Sequence, residues 1–150
     1  MIIDELVYPG AELLFEVNAM GGPMFPVRFY AIKEGNNDQV AQFYLDQLPM
    51  YEVEIDEIVD DERWLRLDYT GKILEKLNVE HPTELIEKGK ELDGSVAIVE
   101  IAHSELDIGH SDLEYGMSFI DLANRGLLAQ ASELPADSLI IVLSYFKNPY

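Results

Sequence analysis

Residues 51–69 read YEVEIDEIVDDERWLRLDY, and the choice between strand and helix there decides the fold. From Tyr51 the residues alternate, with Tyr51, Val53 and Ile55 on one side and Glu52, Glu54 and Asp56 on the other. A period of two predicts a half-buried strand with an acidic outer face. Asp60-Asp61-Glu62-Arg63 reads as a turn, and Trp64 to Tyr69 (WLRLDY) as a strand returning to close a hairpin. The competing reading is a helix over Ile55 to Leu67, because short apolar runs fit either period.

The flanks favour the hairpin. Ala11 to Asn18 (AELLFEVN) and Val27 to Lys33 (VRFYAIK) form another pair of predicted strands, joined by the turn-rich segment from Ala19 to Pro26. Gly35-Asn36-Asn37-Asp38 predicts a helix cap, then a helix over Asp38 to Leu48 that Pro49 ends. Gly71 to Leu77 is too short to stand alone, whereas Thr83 opens a solvated helix that stops at Asp93-Gly94. Ser95 to Ala102 (SVAIVEIA) and Ser138 to Phe146 (SLIIVLSYF) are predicted buried strands, and Gly116 to Glu133 the longest helix, closed by Pro135. Strand pairs precede helices instead of alternating with them. The expected class is therefore α+β, a mostly antiparallel sheet with about three helices packed against it as a single layer pair. The length of 150 residues fits one globular domain, 1–150.

Charge separates this chain from most domains of its size. It carries 29 Asp and Glu against 10 Lys and Arg, a formal net charge of −19. Seven of the eleven positions from Glu52 to Glu62 are acidic and none is basic. The concentration of acid in the middle third argues against a uniformly acidic, salt-adapted surface. Such a surface repels nucleic acid and anionic membranes and attracts basic proteins, including those that hold nucleic acid. With 48% hydrophobic residues the chain is too apolar for a disordered acidic tail. Cysteine is absent, which removes disulfides and thiolate chemistry and fits a cytoplasmic location. Met1-Ile2-Ile3 runs directly into Asp4-Glu5, without the pattern of a targeting segment.

The candidate partner-binding residues are Glu52, Glu54, Asp56, Glu57, Asp60, Asp61 and Glu62, with Trp64 beside them as an aromatic anchor or a core residue. Alternate residues on one strand face sit roughly 6.6–6.8 Å apart, so carboxylates there can stand in for a row of phosphates. Asp60-Asp61-Glu62 lacks the spacing and glycine of an EF-hand loop, so no dedicated metal site is expected. Met20, Met24 and Phe25 are candidates for an exposed apolar loop tip or a cap on the core. His103 and His110 flank a polar loop running on to Asp112 and Glu114, a candidate acid/base or metal-binding loop, but their spacing matches no HExxH or helical i, i+4 pair. No nucleophile elbow, P-loop or dinucleotide fingerprint is present. The expected protein is thus non-enzymatic, without cofactor or catalytic set.

In composition the chain is similar to immunity proteins that neutralise toxins and to anti-defence proteins that mimic DNA. That likeness rests on no motif and transfers no residue role. It implies an inhibitor that occludes the basic surface of a nuclease or other nucleic-acid-binding protein. The alternatives are an acidic chaperone or adaptor assembling as a homodimer through apolar patches, and a small enzyme using the His103–Glu114 loop.

Overall fold

The stretch read as a strand from Tyr51 is one, running from Glu52 to Val59. The computed structural model describes residues 2–18, 25–33, 35–78, 80, 82–106, 118–126 and 134–148. Within them the hairpin and its neighbours form one six-stranded antiparallel sheet: β1 (Glu12–Val17), β2 (Val27–Ile32), β3 (Glu52–Val59), β4 (Glu62–Asp68), β5 (Val96–His103) and β6 (Leu139–Tyr145). The strand order is β1-β2-β6-β5-β4-β3, so β1 and β3 are the open edges and β6 lies inside. The antiparallel α+β architecture matches the sequence reading.

Among the described residues four α-helices accompany the sheet: α1 (Asn37–Gln47), α2 (Thr70–Lys76), α3 (Pro82–Leu92) and α4 (Phe119–Asn124). They cover both faces, where the sequence suggested a single pair of layers. On one face Val40, Ala41 and Tyr44 of α1 pack on Tyr30, Leu65, Leu67, Val99, Ile101 and Ile141. On the other, Phe119, Ile120, Leu122 and Ala123 of α4 pack on Phe29, Trp64, Ile140 and Val142. β6 is accordingly buried at every position, as its unbroken apolar run allows. A smaller cluster joins Ile73 of α2 and Leu77 to Ala97 and Phe146.

Local chemistry sets the boundaries. The Asn36 side chain accepts from Gln39 N at 3.2 Å and starts α1. The Asp68 carboxylate accepts from Thr70 N at 2.7 Å, which lets the short 70–76 segment form a helix that periodicity alone did not support. Gly94 ends the α3 segment at a left-handed φ of 83°. Gly126, at φ 68°, does the same for α4. The predicted long helix over Gly116 to Glu133 therefore begins only at Phe119 and stops at Asn124, and residues 127–133 lie outside the described set. No helix among the described residues is long and apolar enough to cross a membrane.

Ile141 is fully buried at the centre of the sheet, whereas Leu13 on the β1 edge is 52% exposed. Ile141→Ala should lower unfolding free energy by about 2–5 kcal/mol. Leu13→Ala should change it by no more than about 0.5 kcal/mol. Urea unfolding of the two variants side by side measures the contrast.

Candidate functional site

The acidic stretch occupies the β3–β4 hairpin at one edge of the sheet. Asp60 and Asp61 form its two-residue turn with φ of 50° and 66°, between paired Val59 and Glu62. A two-residue hairpin turn matched to strand twist needs positive φ at both positions, and Asp tolerates that conformation better than most side chains. The turn is thus two residues, tighter than the four read from sequence, and β3 extends through Val59.

The strict alternation over Tyr51 to Asp56 does not survive. The register shifts between Val53 and Ile55, where β3 carries one residue more than β4. Val53 is turned outward, 50% exposed, while Glu54 is drawn inward. Its Oε2 lies 3.3 Å from Arg66 Nε, an ion pair without hydrogen-bond alignment. Burial, aided by Asp68, pushes the Glu54 carboxyl up despite Arg66. Asp56 faces α1 instead. Arg63 donates from Nε and Nη2 to its two carboxylate oxygens, both at 2.8 Å, and reaches Asp38 at 3.6 Å. These hydrogen bonds hold the Asp56 carboxyl below the usual range.

Trp64 is fully buried with Ile55 and Phe29 in the core on the α4 face, so it is not a surface anchor. Its position on β4 places it between the sheet and the helix, which is why the apolar ring is enclosed.

Five of the seven predicted acids remain without an ion-pair partner among the described residues: Glu52, Glu57, Asp60, Asp61 and Glu62. The fold adds two more near the turn. Val59, Asp60, Glu62, His103, Glu105, Leu106 and Asp137 line an open cavity of about 370 Å³. His103 Nδ1 accepts from Glu105 N at 3.2 Å, so Nε2 is the nitrogen left for other partners. The hairpin tip and the start of the histidine loop, separate in sequence, are one acidic surface. His110, Asp112 and Glu114 lie outside the described residues, as do Met20 and Met24, while Phe25 packs edge-on against Phe146. Among the described residues no group of three or more His, Asp or Glu side chains is arranged to hold a metal ion.

No protein-family model, curated protein or solved structure matches this chain.

Sequence reasoning missed the buried ionic cluster behind the hairpin. Glu100, with no solvent exposure, accepts from Arg66 Nη1 at 3.1 Å and from the backbone N–H groups of Phe119 and Ile120 at 3.2 and 3.3 Å. The Ser118 hydroxyl donates to Glu100 Oε1, the oxygen that also accepts from Ile120 N, and itself caps α4, accepting from Ile120 N and Asp121 N. The Arg66 guanidinium lies 4.9 Å from the Phe119 ring centre. Burial pushes the Glu100 carboxyl up, opposed by Arg66 and these donors. The signal was present in the sequence: one acid inside SVAIVEIA and one base inside WLRLDY, which the β4–β5 register sets directly opposite each other.

Removing one partner of a buried pair strands the other. Arg66→Met should therefore cost about 3–5 kcal/mol at pH 7 by urea unfolding. Adding Glu100→Gln should recover much of that loss, because a neutral amide replaces the stranded charge. At the surface, Asp56 has a lowered folded pKa, so its pairing stabilises above the ordinary Asp value of about 3.9 and is lost as pH falls through the folded value. Arg63→Gln should return the Asp56 carboxyl to the ordinary range in an NMR titration.

Proposed function

We propose that this chain is a non-enzymatic acidic binding protein, an inhibitor of the immunity or anti-defence kind that covers the basic surface of a nuclease or another nucleic-acid-binding protein. One observation carries the reading. Glu52 and Glu57 on the open β3 edge, Asp60 and Asp61 in the turn and Glu62 at the start of β4 have no ion-pair partner among the described residues, and Glu105 and Asp137 extend the patch beyond the turn. Such a patch steers a Lys- and Arg-rich surface into contact, after which the bulk of the domain blocks access of nucleic acid. Asp56 and Glu54 contribute less to this field, because each already faces a guanidinium.

A second reading, the adaptor that binds through apolar surface, is supported by a different observation. Val53 and Ile58 are 50% and 67% exposed on the same edge strand. The two readings differ in their response to salt, because screening weakens charge–charge attraction far more than apolar contact.

The test is capture of basic nucleic-acid-handling proteins on immobilised chain, loaded near 0.05 M salt and eluted near 0.5 M, about where the screening length falls below 5 Å. The comparison variant combines Glu57→Gln, Asp60→Asn, Asp61→Asn and Glu62→Gln, which keeps the shapes and the left-handed turn while removing four charges. We expect specific basic proteins to bind, to elute in salt, and to be lost from the variant. A partner held equally by both forms at high salt but lost on Ile58→Ser would support the adaptor. No retention at low salt would overturn the inhibitor.

A further inference from the structure

We propose that the β3 edge takes an extended Lys- or Arg-rich segment of the partner as an additional antiparallel or parallel strand; this deepens the preceding reading and rests on it. The main chain carries the argument. β3 runs for eight residues at the end of an open sheet, so every second residue turns its backbone N–H and C=O away from β4. Apart from β4, no described element hydrogen-bonds to the β3 backbone. Natural edges are guarded by charged side chains (Lys above all), Pro, bulges or a covering element. β3 has no Lys or Pro, and its single bulge lies near its start, between Val53 and Ile55. Ile55 to Val59 therefore continues as a regular strand, uncovered among the described residues, whose guard is negative charge alone; that guard repels an acidic strand and admits a basic one.

Charge selects the occupant. A second copy of β3 would bring Glu57 and Asp56 against like charges, an unfavourable cross-strand arrangement. A basic segment meets the opposite situation. From the register, Glu57 shares a face with Trp64, and Ile58 the opposite face with Arg63. An added strand that alternates in the same sense places Lys or Arg beside Glu57 and an aliphatic or Thr side chain beside Ile58. The pairing unites the two exposed features of β3, acid and aliphatic, in a single mode of recognition.

The test uses the full isotopically labelled chain and the heptapeptide Lys-Thr-Lys-Val-Lys-Thr-Lys, with a fully N-methylated twin of the same charge that has no backbone donors. We expect the parent peptide to slow hydrogen exchange of alternate amides within residues 55–59. We expect the twin to bind at least about tenfold more weakly, the loss of two or three main-chain hydrogen bonds. Ile58→Lys, at an exposed position, should also weaken the parent. Equal binding of the twin without exchange protection would overturn strand pairing and leave the electrostatic reading intact. Absence of binding by either peptide at low salt would overturn strand pairing too, while the protein capture separately decides the inhibitor. Protection of β3 that rises with protein concentration in the absence of peptide would make the occupant a second copy and overturn the basic segment.

Discussion

A carboxylate with no access to water organises the acidic edge from behind. Glu100 is bound by Arg66 and by the first turn of α4, so one ion ties β4, β5 and a helix together. Arg66 also attracts Glu54, and that attraction accompanies the extra residue in β3 between Val53 and Ile55. With Glu54 drawn inward, Val53 faces water, and the outward acids begin again beyond the bulge. The pattern of charge on the surface is thus linked to a pair of charges beneath it. Buried ion pairs seldom stabilise more than a well-packed apolar substitute would, since desolvation offsets the attraction. Here the same guanidinium lies against Glu100 in the core and Glu54 at the bulge, so the buried pair and the outward pattern of β3 meet at one side chain.

Much of the fold was legible because its strands obey simple periods. The run LIIVLSY, apolar nearly throughout, reads as a strand covered on both faces, and β6 is one. The alternation from Tyr51 marked a strand, but not the bulge after Val53 or the exposure of both faces beyond Ile55. What was not legible depends on contacts distant in sequence. α2 needs the Asp68 carboxylate and the Ala97–Phe146 platform, neither of which a seven-residue window contains. The end of α4 is a matter of one glycine's φ, that of Gly126, which lies inside the segment whose pattern predicts a continuous helix.

The site was legible as composition and illegible as geometry. The acids of 52–62 are together because they are neighbours in sequence. Their division into paired and unpaired members depends on Arg63 and Arg66, whose partners follow from register. Trp64 adjoins the acids in sequence yet faces the α4 side of the sheet, beneath a helix more than fifty residues away. The approach of Asp137 to the hairpin tip required the strand order, which no local pattern contains.

The interior position of β6 has a consequence for how the chain reaches this structure. Val27 pairs with Ser144, and Val96 with Tyr145, so the last strand in sequence is the one that joins the two parts of the sheet. Until β6 emerges, β1–β2 and β3–β4–β5 are separate pieces, each with an apolar edge awaiting a neighbour. Contacts this distant in sequence slow folding, because loop closure must precede the gain from pairing. A chain whose β6 is not yet in place exposes two unpaired strand edges, and a net charge of −19 opposes the association of such chains through them.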